Sequence, residues 1–175
     1  MNRWVSVFLL ALLTLPLPAL DFAPLGQALK QALPATDQAY QTTLKIDADQ
    51  SRQLAGGFRA GESFTVYYTK NAAGSVTGRA VELKEILVKY GVLHRWVIGL
   101  RPDGTLSAVV VTRLGDAHAF PVADKKFQAQ FSGKGVAGLA LGTTVDAMTG
   151  ATESSQLLVD SIGRARSILG WADCR

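Results

Sequence analysis

The clearest periodicity in the chain lies near its end. Leu157, Leu158, Ser161, Ile162, Ala165, Ile168 and Leu169 recur at three- and four-residue spacings, while Gln156, Asp160, Arg164 and Ser167 fall outside that stripe. This predicts an amphipathic helix that lays one face on a core. From Ser63 onward the pattern is instead that of strands, dense in β-branched and aromatic residues: SFTVYYT, a turn at NAAG, then VTGRAVELKEILV. A second hairpin is predicted from HRWVIGL and TLSAVVVTR, joined by Arg101-Pro102-Asp103-Gly104, where proline pre-sets φ and glycine supplies a positive φ. Two helices are expected upstream. One runs from Pro24 to Leu33 and is stopped by Pro34; the other runs from about Asp47, a suitable N-cap, to Ala55, ahead of Gly56-Gly57. The stretch after Arg113 reads as irregular apart from a short helix between Asp124 and Phe131, carried by Phe127 and Phe131. Helices at the ends and antiparallel strands between them give an α+β class: a single domain, with a curved antiparallel sheet flanked by helices.

The first residues change the picture of where this domain works. MNRWVSVFLLALLTLPLPAL has a short basic start at Arg3, an apolar run from Trp4 to Leu15 and a proline-flanked end at Ala19. It reads as a secretory signal peptide over residues 1–19, with residues 20–175 forming the domain. Export implies a periplasmic or other extracytoplasmic location, with membrane association if the segment is retained as an anchor. The run is shorter than the ~20 residues that a membrane span needs. The whole chain carries 18 Lys plus Arg against 14 Asp plus Glu, scattered rather than clustered, which argues against a nucleic-acid partner. A single cysteine, Cys174, cannot staple the domain. His94 and His118 with that cysteine form no metal-ligand set, and no haem-attachment motif, phosphate-binding glycine loop or Gly-x-Ser-x-Gly elbow occurs. His94 opens a strand and reads as a structural or surface residue. His118 lies in the irregular loop, where sites are commoner.

The remaining chemistry sits in Asp146-Ala-Met-Thr-Gly-Ala-Thr-Glu-Ser-Ser155, at the mouth of the terminal helix. Three readings compete. Thr152 or Ser154 can serve as a helix N-cap, worth about 1 kcal/mol. The first turn can bind an anion through its free N–H groups and the helix dipole, with Glu153 in partial opposition. Or Thr152 can be an alcohol presented for covalent modification, its small neighbours Gly150 and Ala151 leaving it accessible to an external enzyme.

DAMTGAT resembles the Asp-x-x-Ser/Thr-Gly-Ala-Thr motif of the covalent FMN-binding domain family. That family includes the flavin-carrying subunits of sodium-pumping NADH:quinone reductase and of the related Rnf-type ferredoxin:NAD reductase complexes, and stand-alone exported domains. A pattern of this length arises by chance in roughly one chain in a thousand of this size. The resemblance extends to the Phe127, Gln130, Phe131, Gly133, Lys134 stretch, to the Ser154-Ser155 pair, and over about Tyr90 to Leu169. It departs from the family at Arg113 to Pro121, where an acidic-Thr-Pro-Gly or Arg-Glu pattern is usual.

The resemblance implies FMN held through a phosphoester bond to Thr152, in a terminal helix that opens at this flavinylation motif. It implies a magnesium-dependent flavinyltransferase that donates FMN from FAD and reads Asp146, Thr149, Gly150 and Ala151, and membrane or periplasmic electron-transfer partners. Tyr90, His118 and Phe120 are the candidates for ring contacts, the alternative being that the aromatics are core. The function expected is that of an electron carrier rather than a complete enzyme. A binding module of the same fold that is never flavinylated or uses its flavin only as a redox sensor, and a small flavin reductase, are the alternatives.

Overall fold

The computed structural model describes residues 19–35, 37–54, 57–172 and 174. The expected signal peptide, save Ala19, and the expected helix end at Ala55-Gly56 therefore lie outside the described residues. Strands β1 (Leu20–Asp21), β2 (Gln38–Lys45), β3 (Ser63–Lys70), β4 (Val76–Leu87), β5 (Val92–Leu100) and β6 (Leu106–Leu114) form one sheet in the order β1-β6-β5-β4-β3-β2. All neighbours are antiparallel, so β2 to β6 make a meander and β1 closes the far edge beside β6. Helix α1 (Leu25–Ala32) follows β1, α2 (Ala48–Gln53) joins β2 to β3, and α3 (Lys125–Ala129) and α4 (Thr152–Trp171) come last. The α+β architecture is as expected.

The two faces of the sheet are covered unequally. On one, α4 lays Leu158, Ile162, Ala165, Ile168 and Leu169 against Leu83, Trp96, Ile98 and Val111, all inside the main buried cluster. Phe127 and Phe131 join the same cluster, in edge-to-face contact at 5.4 Å between ring centres. On the other face α1 sets Ala28 and Ala32 on Ala80, Val97 and Val110, which leaves much of that face open. The close approach requires Gly99, because a Cβ there would stand 2.7 Å from the Ala32 carbonyl oxygen.

The expected turns are present. Gly104 takes φ 82°, and Asp103 Oδ1 accepts bonds from the N–H and hydroxyl of Thr105, which hold its carboxyl below the usual range. Asp47 caps α2 through a capping box with Gln50.

Two elements depart from the sequence reading. QAYQTTLK forms β2, for which the chain gives little sign: only Leu44 of that strand is buried, so no period-2 apolar pattern exists to be read. The stretch expected to be irregular after Gly115 contains a 3-10 helix over Ala117–Ala123, capped by Asp116, whose Oδ1 accepts from the N–H groups of His118 and Ala119 at 2.8 and 3.1 Å.

Strands β3 and β4 pair only between Val66–Lys70 and Val76–Val81, although β2 follows β3 to Ser63 and β5 follows β4 to Leu87. Past Val66 the two strands part, and a cleft of 480 Å³ opens between them. Arg164 of α4 reaches into it. Its Nη1 donates to both oxygens of Glu85 at 2.7 Å, its Nη2 lies 3.8 Å from Glu62, and its guanidinium stands 5.0 Å over the Phe58 ring. Burial pushes the Glu85 carboxyl up, and the charge and hydrogen bonds of Arg164 partly hold it down.

Candidate functional site

The approach to α4 is a long loop held at several points. Gly133 N–H donates to Leu106 C=O at 2.8 Å and Leu106 N–H to Lys134 C=O at 2.9 Å, which fastens the loop's start to β6. Lys134 Nζ donates to the Thr144 carbonyl, and Gln130 Oε1 accepts from the Asp146 N–H at 2.9 Å. Val145 is buried, and Met148 packs against the core. The Phe127-Gln130-Phe131-Gly133-Lys134 stretch is thus the scaffold on which the motif loop rests.

At the end of that loop the chain turns into the helix through Gly150, at φ 81°. This left-handed conformation favours glycine, while Ala151 N–H closes the turn onto Met148 C=O at 3.0 Å. Ala151, itself buried, holds the N-cap position and offers no acceptor, so the first turn of α4 has no side-chain cap. The capping reading of Thr152 and Ser154 is therefore corrected. The positive φ at Gly150 starts the helix one residue before Thr152, which becomes its first helical residue. Ser154 and Ser155 point inward, and Ser155 Oγ donates back to the Ala151 carbonyl at 2.9 Å.

Around this helix start lies a second cleft of 480 Å³. One wall is Gly150 to Ser154. The opposite wall is the β4–β5 hairpin, through Leu87, Tyr90 and Val92, and the third side is Asp116 and His118. Lys89 of the hairpin joins the two walls by an ion pair to Glu153, Nζ to Oε1 at 2.6 Å. That hydrogen bond is the first cause both of a raised Lys89 ammonium pKa and of a lowered Glu153 carboxyl pKa, so both stay charged. Both are solvent-exposed, and the pair positions more than it stabilises. His118 Nδ1 lies 3.7 Å from Asp116 Oδ1, with its ring mostly in solvent.

His94 is fully buried, stacked on Trp96 at 5.7 Å. Its Nδ1 accepts from Gly115 N–H at 3.2 Å, and burial depresses its pKa, so it is a neutral structural residue. Cys174 is buried as well.

Among the residues singled out in the sequence, the cleft brings together Gly150, Ala151, Thr152, Ser154, His118 and Tyr90. Thr152 is exposed, as are Asp146, Thr149 and Gly150. Asp146 and Thr149 lie on the surface outside the cleft lining, Ser155 is turned into the helix, and Phe120 packs instead on Phe22, with ring centres 5.9 Å apart. Leu87, Val92, Lys89 and Asp116 were not singled out. The only local sign was at Asp116, an Asx residue placed to cap the turn that carries His118.

No family model matches the chain, and no curated protein matches it. Among solved structures, the crystal structure of NqrC from Shewanella oneidensis is similar at 18% identity and a TM-score of 0.47. The match covers 76% of this chain and 64% of that one.

Proposed function

We propose that the chain is an exported electron carrier that holds FMN covalently, by a phosphoester bond between the flavin nucleotide and Thr152 Oγ1. The single observation that carries this reading is the exposure of Thr152 at the first turn of an uncapped 20-residue helix, facing a cleft with an apolar wall. A phosphodiester there would lie over N–H groups that no side chain satisfies, at the positive end of the helix dipole. Glu153 would oppose it, but Lys89 holds that carboxylate in an ion pair. Leu87, Tyr90 and Val92 supply a surface for a flat aromatic ring, and His118 with Asp116 supplies polar groups at its edge.

No base hydrogen-bonds the Thr152 hydroxyl among the described residues, so attachment would need a separate enzyme; the resemblance of DAMTGAT to the family motif implies a magnesium-dependent flavinyltransferase with FAD as donor. Asp146, Thr149 and Gly150 are exposed in sequence order before Thr152, as a recognition segment must be. When bound, the flavin would supply one- and two-electron transfer between unlike partners. The protein's part would be to tether it at Thr152 beside the apolar wall of Leu87, Tyr90 and Val92. The partners are other extracytoplasmic or membrane electron-transfer proteins, and residues 1–19 would direct export.

The test is whole-protein mass after expression with and without a flavinyltransferase. A gain equal to FMN less one water, with yellow fluorescence that survives denaturing electrophoresis, is expected. An unchanged mass overturns the covalent-carrier reading in favour of a module of the same fold that is never flavinylated.

A further inference from the structure

The open face of the sheet, beyond the cover of α1, carries a row of cations. Lys84 faces Arg95 across β4 and β5, and Arg95 faces Arg113 across β5 and β6. Like charges directly opposite on adjacent strands destabilise a sheet. Little offsets them here. Arg113 has Asp21 at 3.5 Å, while Lys84 and Arg95 have no ion-pair partner among the described residues, and Arg95 Nε has no hydrogen bond. Glu82, two residues from Lys84 on the same face, forms no ion pair either among the described residues.

Beyond this row the β4–β5 hairpin ends in exposed apolar side chains. Ile86 is 58% and Val88 86% exposed. Lys84 lies three strand residues before Leu87, roughly 10 Å, and Val88 follows at the start of the turn.

We propose that this hairpin face docks on an anionic lipid bilayer, with Ile86 and Val88 entering the headgroup layer and Lys84, Arg95 and Arg113 meeting lipid phosphates. Interfacial amphipathic helices bury their apolar side about 5–10 Å into that layer, and the same depth for this tip sets a cation row roughly 10 Å behind it at the level of the charged surface. An acidic protein would answer the cations alone. A bilayer answers both the cations and the apolar tip, in the order the hairpin presents them. Leu87 and Val92, on the other face of the same hairpin, wall the Thr152 cleft, so the docking face and that cleft lie on opposite sides of the sheet.

The test uses the full chain with Val88→Cys in a Cys174→Ser background and a polarity-sensitive dye at position 88. The dye reports the tip itself, whatever the N-terminal segment does, and no flavin is needed, so the outcome is independent of the reading of Thr152. A blue shift is expected on phosphatidylcholine vesicles containing phosphatidylglycerol and not on phosphatidylcholine alone. Each cation near such a surface contributes roughly fivefold in affinity, so Lys84→Glu, which removes one cation and adds an anion, weakens binding roughly 25-fold. The same change relieves the like-charge row, so its melting temperature should equal or exceed that of the parent. If Lys84→Glu fails to fold, Lys84→Gln carries the test with a loss of roughly fivefold. No shift on anionic vesicles, an equal shift on neutral ones, or full binding by the Lys84 variants overturns the proposal. A shift produced by polyglutamate in place of vesicles also overturns it and assigns the face to an acidic protein.

Discussion

Replacing Arg164 by Met tests whether the ionic plug between β3 and β4 holds α4 to the sheet. The side chains of Arg164 and Glu85 are 21% and 10% exposed, and two 2.7 Å hydrogen bonds join them. Removing one partner of a buried pair costs about 3–5 kcal/mol, because the other is left charged and desolvated. The partial exposure here places the cost near 3 kcal/mol, or a fall in melting temperature of about 6–12 °C for a domain of this size. The cost depends on pH in a defined direction. Burial already raises the Glu85 carboxyl above its ordinary 4.5, and without Arg164 only the raising influences, burial and Glu62, remain. A carboxyl whose folded pKa exceeds its unfolded value binds a proton more readily when folded, so its penalty is absent below the unfolded value and grows as pH rises through the folded one. Chemical denaturation followed by circular dichroism should therefore show a smaller loss at about pH 5 than at about pH 8. Combining Arg164→Met with Glu85→Gln should restore stability to within about 1 kcal/mol of the parent. A loss under about 1 kcal/mol for Arg164→Met alone, or one that does not shrink in acid, would refute the argument.

Three further outcomes are expected. Thr152→Ala should abolish the flavin mass increment while Thr149→Ala only reduces it, and the reverse ranking in intact-protein mass spectra would mean that the wrong hydroxyl has been chosen. Gly150→Ala should destabilise the domain by about 1–2 kcal/mol through its positive φ alone, since a Cβ there meets no atom within 4 Å. Gly150→Asn, which tolerates that conformation better, should lose less in the same denaturation series. Gln130→Ala should change stability by no more than about 1.5 kcal/mol yet slow flavin attachment, because the Asp146 backbone loses its tether. A normal time course of attachment would separate that tether from recognition.

The elements that sequence revealed are those whose pattern has one buried side. α4 and β4 to β6 announce themselves because their inward positions are apolar at the spacing of the element. β2 does not, since it lies at the sheet edge with both faces largely wet. The same holds for the candidate site. Gly150 to Ser154 are legible as a local motif, whereas Leu87, Val92 and Lys89 become neighbours of Thr152 only through the strand order and the lie of α4 across the sheet. Local sequence also suggested a hydroxyl cap, which the backbone turn at Gly150 displaced by one residue.

The tethering of the loop before α4 has a consequence for timing. Leu106, Lys134, Gln130 and Val145 fix the course of the chain into Thr152, and each belongs to or leans on a part of the structure absent from a short peptide. A synthetic heptapeptide carrying DAMTGAT would offer the same letters without the bend or the helix behind it. Flavin attachment would then follow folding, and the transferase would act as an inspector that passes only finished copies of its acceptor.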